Sequence, residues 1–328
     1  MKKKVRYGII GFGAFAERTI GPAIRESSNS ELVAIQKRSF PAAREKARTF
    51  NIPHAFDSVE ALVKHPDVDA VFIVSANSQH APETLAAARA GKHVLVEKPM
   101  AMNVAEAELM MRVCEENNVK FMVAHMVRFS PLVIRMKELI QSGLIGKLTF
   151  IKSEFIYDGR LSHRSWLVDR NIAGGGPVFD IGVHCLDTTR FLLDDNVISV
   201  KSELDPTPSA VITESTAQLA LKFSKGTMAG IFCSYTAPIR RTYIEVIGEK
   251  GILSAENFSW SGNTLSLKVI LGENDKIIEL RDETIIVPNL YEKEVTLFSE
   301  CILNNTASPI PGEEGLKNQR VLDAAMKV

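Results

Sequence analysis

The stretch Val5-Arg6-Tyr7-Gly8-Ile9-Ile10-Gly11-Phe12-Gly13-Ala14-Phe15-Ala16 decides how this chain is read. An apolar, β-branched run over 5–10 stops at a glycine, and a helical pattern follows over 16–27. Between them the residues spell G-x-G-x-x-A. The first glycine permits a tight strand-to-helix turn, and the second lets a pyrophosphate approach backbone N–H groups. The small Ala16 lets helix and strand pack closely. A helix N-terminus placed there favours the phosphate charge. The six residues alone are a weak signal, but the strand-loop-helix setting makes Gly11, Phe12, Gly13, Ala14 and Phe15 candidate cofactor contacts.

Outward from this loop, short apolar runs alternate with helical patterns: strands over 32–36, 70–74, 93–96 and 120–124, helices over 42–50, 82–90 and 104–117. Runs such as VFIV and HVLV lack polar alternation, as expected of a parallel sheet covered on both faces by helices. The reading is an α/β chain whose residues 1–125 form a Rossmann domain, a doubly wound parallel sheet. The remainder, 126–328, changes character. After a helix over 132–142 come strands over 148–155, 217–223, 228–234, 242–247 and 264–270, mostly in succession. Turn signals SKG at 224–226 and GEKG at 248–251 separate some of them. This predicts a C-terminal α/β domain with a large, mostly antiparallel open sheet that binds substrate and supports oligomerisation, as a homodimer or homotetramer, through its free face. Helices over 291–304 and 313–328 close the chain, and the last lacks a stop signal, which leaves room for the natural chain to continue.

Composition excludes several classes of function. With 39 basic and 39 acidic side chains among 328 residues there is no overall field to attract nucleic acid or an anionic membrane. A small-molecule partner is expected. The basic start MKKK leads into too short an apolar stretch for a signal peptide, and no run approaches the roughly 18 apolar residues of a membrane span. Cys114, Cys185, Cys233 and Cys301 lie far apart without a CxxC pair, which fits reduced thiols and a cytoplasmic address.

Cofactor choice rests on the end of the second strand, where an acid binds ribose hydroxyls or a cation accepts a 2′-phosphate. About twenty residues past the loop stands Glu31, at the wrong end of that strand. The right end reads Gln36-Lys37-Arg38-Ser39. Two cations and a hydroxyl without an acid favour NADP(H), with NAD(H) left open. Ser75, Asn77 and His80 follow the strand over 70–74, so they too are candidate cofactor contacts; Asn77 and His80 could equally cap a helix.

The strand over 93–96 runs into Glu97-Lys98-Pro99 at another carboxyl edge. There Glu97 and Lys98 could meet the cofactor. Lys98 could hydrogen-bond a substrate hydroxyl, stabilise alkoxide charge, or share a proton. Downstream, Gly174-Gly175-Gly176-Pro177-Val178-Phe179-Asp180-Ile181-Gly182-Val183-His184 is followed by Asp187. On a helix Asp180, His184 and Asp187 share one face. His184 is suited to exchange a proton near neutral pH and Asp180 to orient it. The three glycines would let the chain approach a ligand. The same trio could hold a divalent ion, but a hydride carrier and a lysine make a metal unnecessary, so none is expected. Arg128, Arg164 and Trp166 are candidate substrate contacts.

The glycine loop, the Glu97-Lys98-Pro99 turn and the run ending in Asp180 and His184 together resemble the glucose-fructose oxidoreductase / inositol dehydrogenase / rhizopine-catabolism (Gfo/Idh/MocA) family over nearly the whole chain. The resemblance implies a Rossmann domain followed by an open-sheet α/β domain often used for oligomer contacts. It also implies NAD(P)-linked oxidation of a sugar, inositol or polyol hydroxyl, or reduction of the carbonyl, a dehydrogenase or reductase acting on CH–OH groups. Lys98 and His184 would then handle the substrate hydroxyl and its proton, with Asp180 binding or orienting. Two departures stand out. Leu167 follows Trp166 where many members have arginine, and Lys37 stands where NAD-preferring members often carry an acid. Two other readings stay open: a dinucleotide-binding sensor without turnover, and a glycosidase that uses NAD transiently.

Overall fold

Apolar runs without polar alternation need cover on both faces, and the first six strands have it except for the short edge strand over 54–56, which is half-buried. The computed structural model describes residues 3–162 and 164–327. Strands β1 (Val5–Ile10), β2 (Ser30–Gln36), β3 (His54–Phe56), β4 (Ala70–Ile73), β5 (His93–Glu97) and β6 (Phe121–Ala124) form one sheet in the order β3-β2-β1-β4-β5-β6. Every pairing in it is parallel. Helices α1 (Gly21–Glu26), α2 (Phe40–Thr49), α3 (Val59–Val63), α4 (Asn77–Arg89) and α5 (Val104–Glu116) make the crossovers. Strand order reverses between β1 and β4, so the turns after these strands diverge and leave a crevice at the carboxyl edge. The expected doubly wound domain is present.

The chain divides into two compact units, Met1–His125 with Tyr291–Gln319, and Met126–Leu290 with Arg320–Val328. The cut expected after residue 125 misses the return of the late helices, α9 (Leu290–Leu303) and α10 (Gly312–Ala325), most of whose residues belong to the first unit. Both helices bury apolar side chains, Val295 and Phe298 of α9 and Leu316 of α10 among them, and α9 is also tied to the first sheet by a hydroxyl network. The Tyr7 hydroxyl and Ser299 Oγ lie 2.8 Å apart, Ser30 Oγ also lies 2.8 Å from Ser299, and Thr296 Oγ1 donates to Ser27 Oγ at 2.8 Å. Buried hydroxyls must pair with one another once water is excluded. Burial pushes the Tyr7 phenol well above its ordinary range.

In the second unit α6 (Pro131–Gln141), α7 (Arg170–Ala173) and α8 (Val183–Leu193) accompany a second sheet. Its strands are β7 (Leu148–Asp158), β8 (Val197–Asp205), β9 (Thr216–Phe223), β10 (Met228–Ser234), β11 (Thr236–Gly248), β12 (Gly251–Glu256), β13 (Asn263–Glu273) and β14 (Lys276–Val287). The order is β14-β13-β12-β11-β7-β10-β9-β8, antiparallel except where β7 lies parallel to β10. The expected mostly antiparallel open sheet is there, with three strands the sequence reading passed over: β8, β12 and β14. Strand β9 alternates buried and exposed residues at nearly every step, the signature of a sheet covered on one face. Strand β14 (KIIELRDETIIV) is almost wholly accessible, and its charged centre hides the alternation.

Gly248, in the β11–β12 hairpin, is required by a close backbone approach: an added Cβ would lie 2.1 Å from the Ile145 carbonyl oxygen. Gly248→Ala should therefore cost about 3 kcal/mol and lower the thermal midpoint by roughly 6–12 °C. Gly272→Ala, whose Cβ would first meet an oxygen at 3.4 Å, should leave the midpoint within a degree or two in the same calorimetric scan.

Candidate functional site

Three turns leave the carboxyl edge of the first sheet, after β1, β4 and β5. Gly11 has φ +82°, and a Cβ there would lie 2.8 Å from the Ser75 backbone, so only glycine lets the first two turns meet. On Gly13 a Cβ would first meet the Gly11 oxygen, at 3.9 Å, which leaves room above the loop for a ligand. A helical turn starts at Ala14 and passes through a π-helical segment, Ala16–Ile20, into α1. Bare glycine backbone under the leading N–H groups of a helix fits a pyrophosphate. Phe12 is buried edge-on against Phe50, while Ala14 and Phe15 are exposed, Phe15 meeting the Tyr291 ring edge-on at 5.7 Å.

Gln36 holds this loop, a role the sequence did not suggest. Its Oε1 accepts from Gly11 N–H at 3.2 Å, its own carbonyl from Phe12 N–H at 2.9 Å, and its Nε2 donates to the Asp57 carbonyl. Lys37, expected to meet a 2′-phosphate, instead donates from Nζ to the Phe12 carbonyl at 2.5 Å. A half-buried ammonium takes the nearest acceptor, and here that is the loop itself. Arg38 and Ser39 are exposed just past β2.

His80 differs from expectation too. It is 1% exposed, with Nδ1 2.8 Å from the Pro99 carbonyl and Nε2 3.3 Å from the Ser75 carbonyl. Burial lowers its pKa to about 4, so the ring is neutral and has one N–H to give, which the shorter contact assigns to Nδ1 donating to the Pro99 carbonyl beyond β5. Asn77 is buried as the first residue of α4, with Ala76 as the cap. Ser75 Oγ donates to the buried Glu83, whose carboxyl is pushed up to about 7 by burial. Glu97 is buried and its Oε2 accepts from Lys98 N–H at 3.2 Å. Lys98 is half-buried, directly beyond β5, and the Lys98–Pro99 bond is cis.

In the second unit the glycine run serves protein packing. Gly174 ends α7 with φ +80°, a Cβ on Gly175 would lie 2.5 Å from the Phe179 ring, and one on Gly176 would lie 2.0 Å from the Glu214 backbone oxygen. These close contacts set the start of a π-helical turn, Val178–Gly182, that runs into α8. The wider turn breaks the even spacing expected of Asp180, His184 and Asp187. Asp180 is 4% exposed and holds Arg164 in a fork, Nη1 to Oδ1 at 2.9 Å and Nη2 to Oδ2 at 2.8 Å. The Tyr157 and Tyr235 hydroxyls donate to its Oδ2 at 3.3 and 3.1 Å. Asp187 instead takes Arg128, with Nε and Nη2 both within 3.1 Å of it. The Arg128 side chain is only 10% exposed, so the guanidinium expected to bind substrate is committed to a buried pair.

Burial, and then the Asp180 charge, push the Tyr157 phenol up to about 12, and Tyr235 rises for the same reasons in the same order. Both stay protonated as donors, while Asp180 holds Arg164 charged. Arg164 keeps 42% of its side chain exposed and lies 5.8 Å from the centre of the half-buried Trp166 ring. His184 stands in the first turn of α8, half-buried, with its ring 5.9 Å from that of Phe155.

Residues 5–125 match the profile described as "Oxidoreductase family, NAD-binding Rossmann fold", and residues 133–254 match the GFO/IDH/MocA C-terminal domain. The 1,5-anhydro-D-fructose reductase of Ensifer adhaerens is 30% identical over 95% of this chain and 92% of its own. The chain belongs to the Gfo/Idh/MocA family of oxidoreductases. Its relatives include the NADP(+) D-xylose 1-dehydrogenase of Haloarcula marismortui, 29% identical over 95% of this chain and 87% of that one. The crystal structure of the aldose-aldose oxidoreductase of Caulobacter crescentus, complexed with glycerol, superposes with a TM-score of 0.85 at 28% identity, covering 98% of this chain and 96% of that one.

Within this Gfo/Idh/MocA chain, Tyr157 and Tyr235 went unnoticed in the sequence because single aromatics at strand ends carry no motif. The parallel pairing of β7 with β10 puts Phe155 opposite Cys233, so two residues on the phenols stand together, rings 5.1 Å apart. Glu83 was missed for a like reason: one acid in an alanine-rich helix reads as a surface residue until its burial is known.

Glu83 sets a pH dependence. An unfolded chain loses this proton near pH 4.5 and the folded one near 7, so the contribution to stability is full below about 4.5 and falls as pH rises through about 7. Glu83→Gln keeps an acceptor for Ser75 without the charge. Chemical denaturation should find it no more stable than the parent at pH 4, and more stable by up to about 3 kcal/mol at pH 8.

Proposed function

We propose that this oxidoreductase moves hydride between NADP(H) and a secondary hydroxyl or carbonyl of a sugar, inositol or related polyol. The reading is carried by one observation: a glycine-floored dinucleotide loop stands beside a β2 end that presents exposed Arg38 and Ser39 and no acid. An arginine and a hydroxyl there suit a 2′-phosphate, which NADP carries and NAD lacks. NAD(H) remains the weaker fit. The relatives support the substrate class by their names: an anhydrofructose reductase, a xylose dehydrogenase and an aldose-aldose oxidoreductase.

Nicotinamide, when bound, supplies the hydride carrier. The loop over 11–15 would hold the pyrophosphate chiefly from the helix start at Ala14 and Phe15, since Gln36 takes the Gly11 and Phe12 N–H groups, and Ser75 and Glu97 would border the ribose and ring from neighbouring turns. Lys98 polarises the substrate oxygen, and His184 takes the hydroxyl proton in oxidation and returns it in reduction. Asp180 serves by position. With an arginine fork and two phenol donors on it, it is a poor base, and it fixes Arg164, which with the neighbouring Trp166 ring would meet the sugar. The buried free cysteines suit a reducing, cytoplasmic setting, and among the described residues no helix is long and apolar enough to cross a membrane.

Copies of the chain pair through the free face of the second sheet. Register places Met228, Phe150, Ile247, Ile252, Ile270 and Leu280 side by side across six strands, each the partner of the next. Such an apolar row on an uncovered face, with Met228 and Leu280 more than half exposed, is the kind of surface a homodimer or tetramer buries.

A spectrophotometric screen of polyols and ketoses with each cofactor tests the activity, and silence across the panel would overturn it. Against a substrate found that way, His184→Asn and Lys98→Ala should each lower kcat by roughly 10²–10⁴ with the fold intact by circular dichroism. Arg38→Ala should raise KM for NADPH about tenfold or more and leave KM for NADH unchanged. Equal effects on both cofactors would remove the 2′-phosphate assignment.

A further inference from the structure

We propose that His54, His65 and Asp67 form a zinc-binding site in the first unit, at the sheet edge formed by β3. His54 opens β3, His65 follows α3, and Asp67 lies in the loop before β4. One ligand atom from each lies within 4.8 Å of the others. His54 Nε2 is 3.2 Å from Asp67 Oδ2, and His65 Nδ1 is 4.0 Å from the same oxygen. Ligands bound to zinc at about 2.0–2.2 Å in a tetrahedron stand roughly 3.3–3.6 Å from one another. The two separations from Asp67 bracket that value, the ligand atoms of the two histidines lie within 4.8 Å of each other, and a swing of the His65 ring toward the other two closes the longer distances. That swing gives up only a long contact, 3.3 Å, from the Asp67 N–H to His65 Nδ1.

The surroundings orient the donors. Arg6 Nη1 holds Asp67 Oδ1 at 2.9 Å and so aims Oδ2 at the histidines, as the partner of a ligating carboxylate does. The Arg6 charge is met separately by Asp69, with Nε to Oδ2 at 3.0 Å and Nη2 to Oδ1 at 2.9 Å. The two imidazoles lie with centroids 4.1 Å apart, and the Phe56 ring backs His65 at 5.5 Å. With side-chain exposures of 31%, 24% and 49% for His54, His65 and Asp67, an ion can enter and water can complete its shell. Two nitrogens and one oxygen form a donor set suited to zinc, with copper and nickel able to compete in vitro. The cluster ties the edge strand β3 to the segment ahead of β4, away from the turns that carry the proposed chemistry. Bound zinc therefore acts on stability and leaves hydride transfer alone.

The test uses the untagged full chain, stripped with EDTA and dialysed against zinc chloride, with bound metal measured by mass spectrometry. The parent should hold one more equivalent of zinc than His54→Gln/His65→Gln, and zinc at a hundredfold excess over its Kd should raise the parent's thermal midpoint by roughly 5–10 °C, reversed by EDTA. His184→Asn should bind zinc like the parent. If the double variant misfolds, cobalt absorption of the parent and of Asp67→Asn decides: tetrahedral bands that weaken in Asp67→Asn support the site. Equal zinc in parent and folded double variant, or no midpoint shift with zinc, or cobalt bands that are absent or unaltered by Asp67→Asn, would overturn the proposal and leave a hydrogen-bonded histidine pair.

Discussion

The contact between Gly11 and the Ser75 backbone is the constraint on which the candidate cofactor edge depends. Because Gly11 carries no Cβ, the turn after β1 comes to van der Waals distance of the turn after β4, and the linkage continues from there. Ser75 Oγ is held by Glu83, its carbonyl faces His80, and the other His80 nitrogen faces the Pro99 carbonyl beside Lys98. The neutral His80 ring has one N–H, given to Pro99 by the shorter contact, and a Glu83 carboxyl that stays protonated up to about pH 7 avoids a buried charge beside Ser75. The position of Lys98 thus traces back, through buried groups, to a missing methyl group ten residues into the chain.

The second unit solves a different problem. Asp180 is a buried carboxylate, and an unpaired charge at that depth would cost several kcal/mol. Arg164 and the two phenols remove that cost and in doing so acquire fixed positions. Arg128 and Asp187 repeat the solution nearby. Of the acids and cations that could have served substrate binding, those most deeply buried are thus used up in pairs, and the partly exposed Arg164 is left with surface to offer.

Much of this was legible along the chain. Fully apolar strands alternating with helices announce a parallel sheet, because only a strand covered on both faces can dispense with polar residues. The G-x-G-x-x-A turn and Glu97-Lys98-Pro99 are local in sequence and remain local in space. Less legible were β8, β12 and β14, in which polar positions on the open face dilute the apolar signal. The triple glycine invited a ligand-approach reading that only its contacts with Phe179 and Glu214 correct.

By itself the sequence determined the α/β class, the place of the cofactor loop, the family resemblance and the candidates Lys98, Asp180 and His184. Each follows from short-range patterns, periodicity and turn chemistry, that survive without knowledge of distant neighbours. Tertiary structure alone decided which charges are engaged: Lys37 on the loop carbonyl, Arg128 on Asp187, Asp180 among Arg164, Tyr157 and Tyr235, and the late helices on the first unit. Those outcomes depend on burial and on partners tens to hundreds of residues away, as with Tyr7 and Ser299, and the free energy of a polar group is set by that surrounding rather than by its neighbours in the chain.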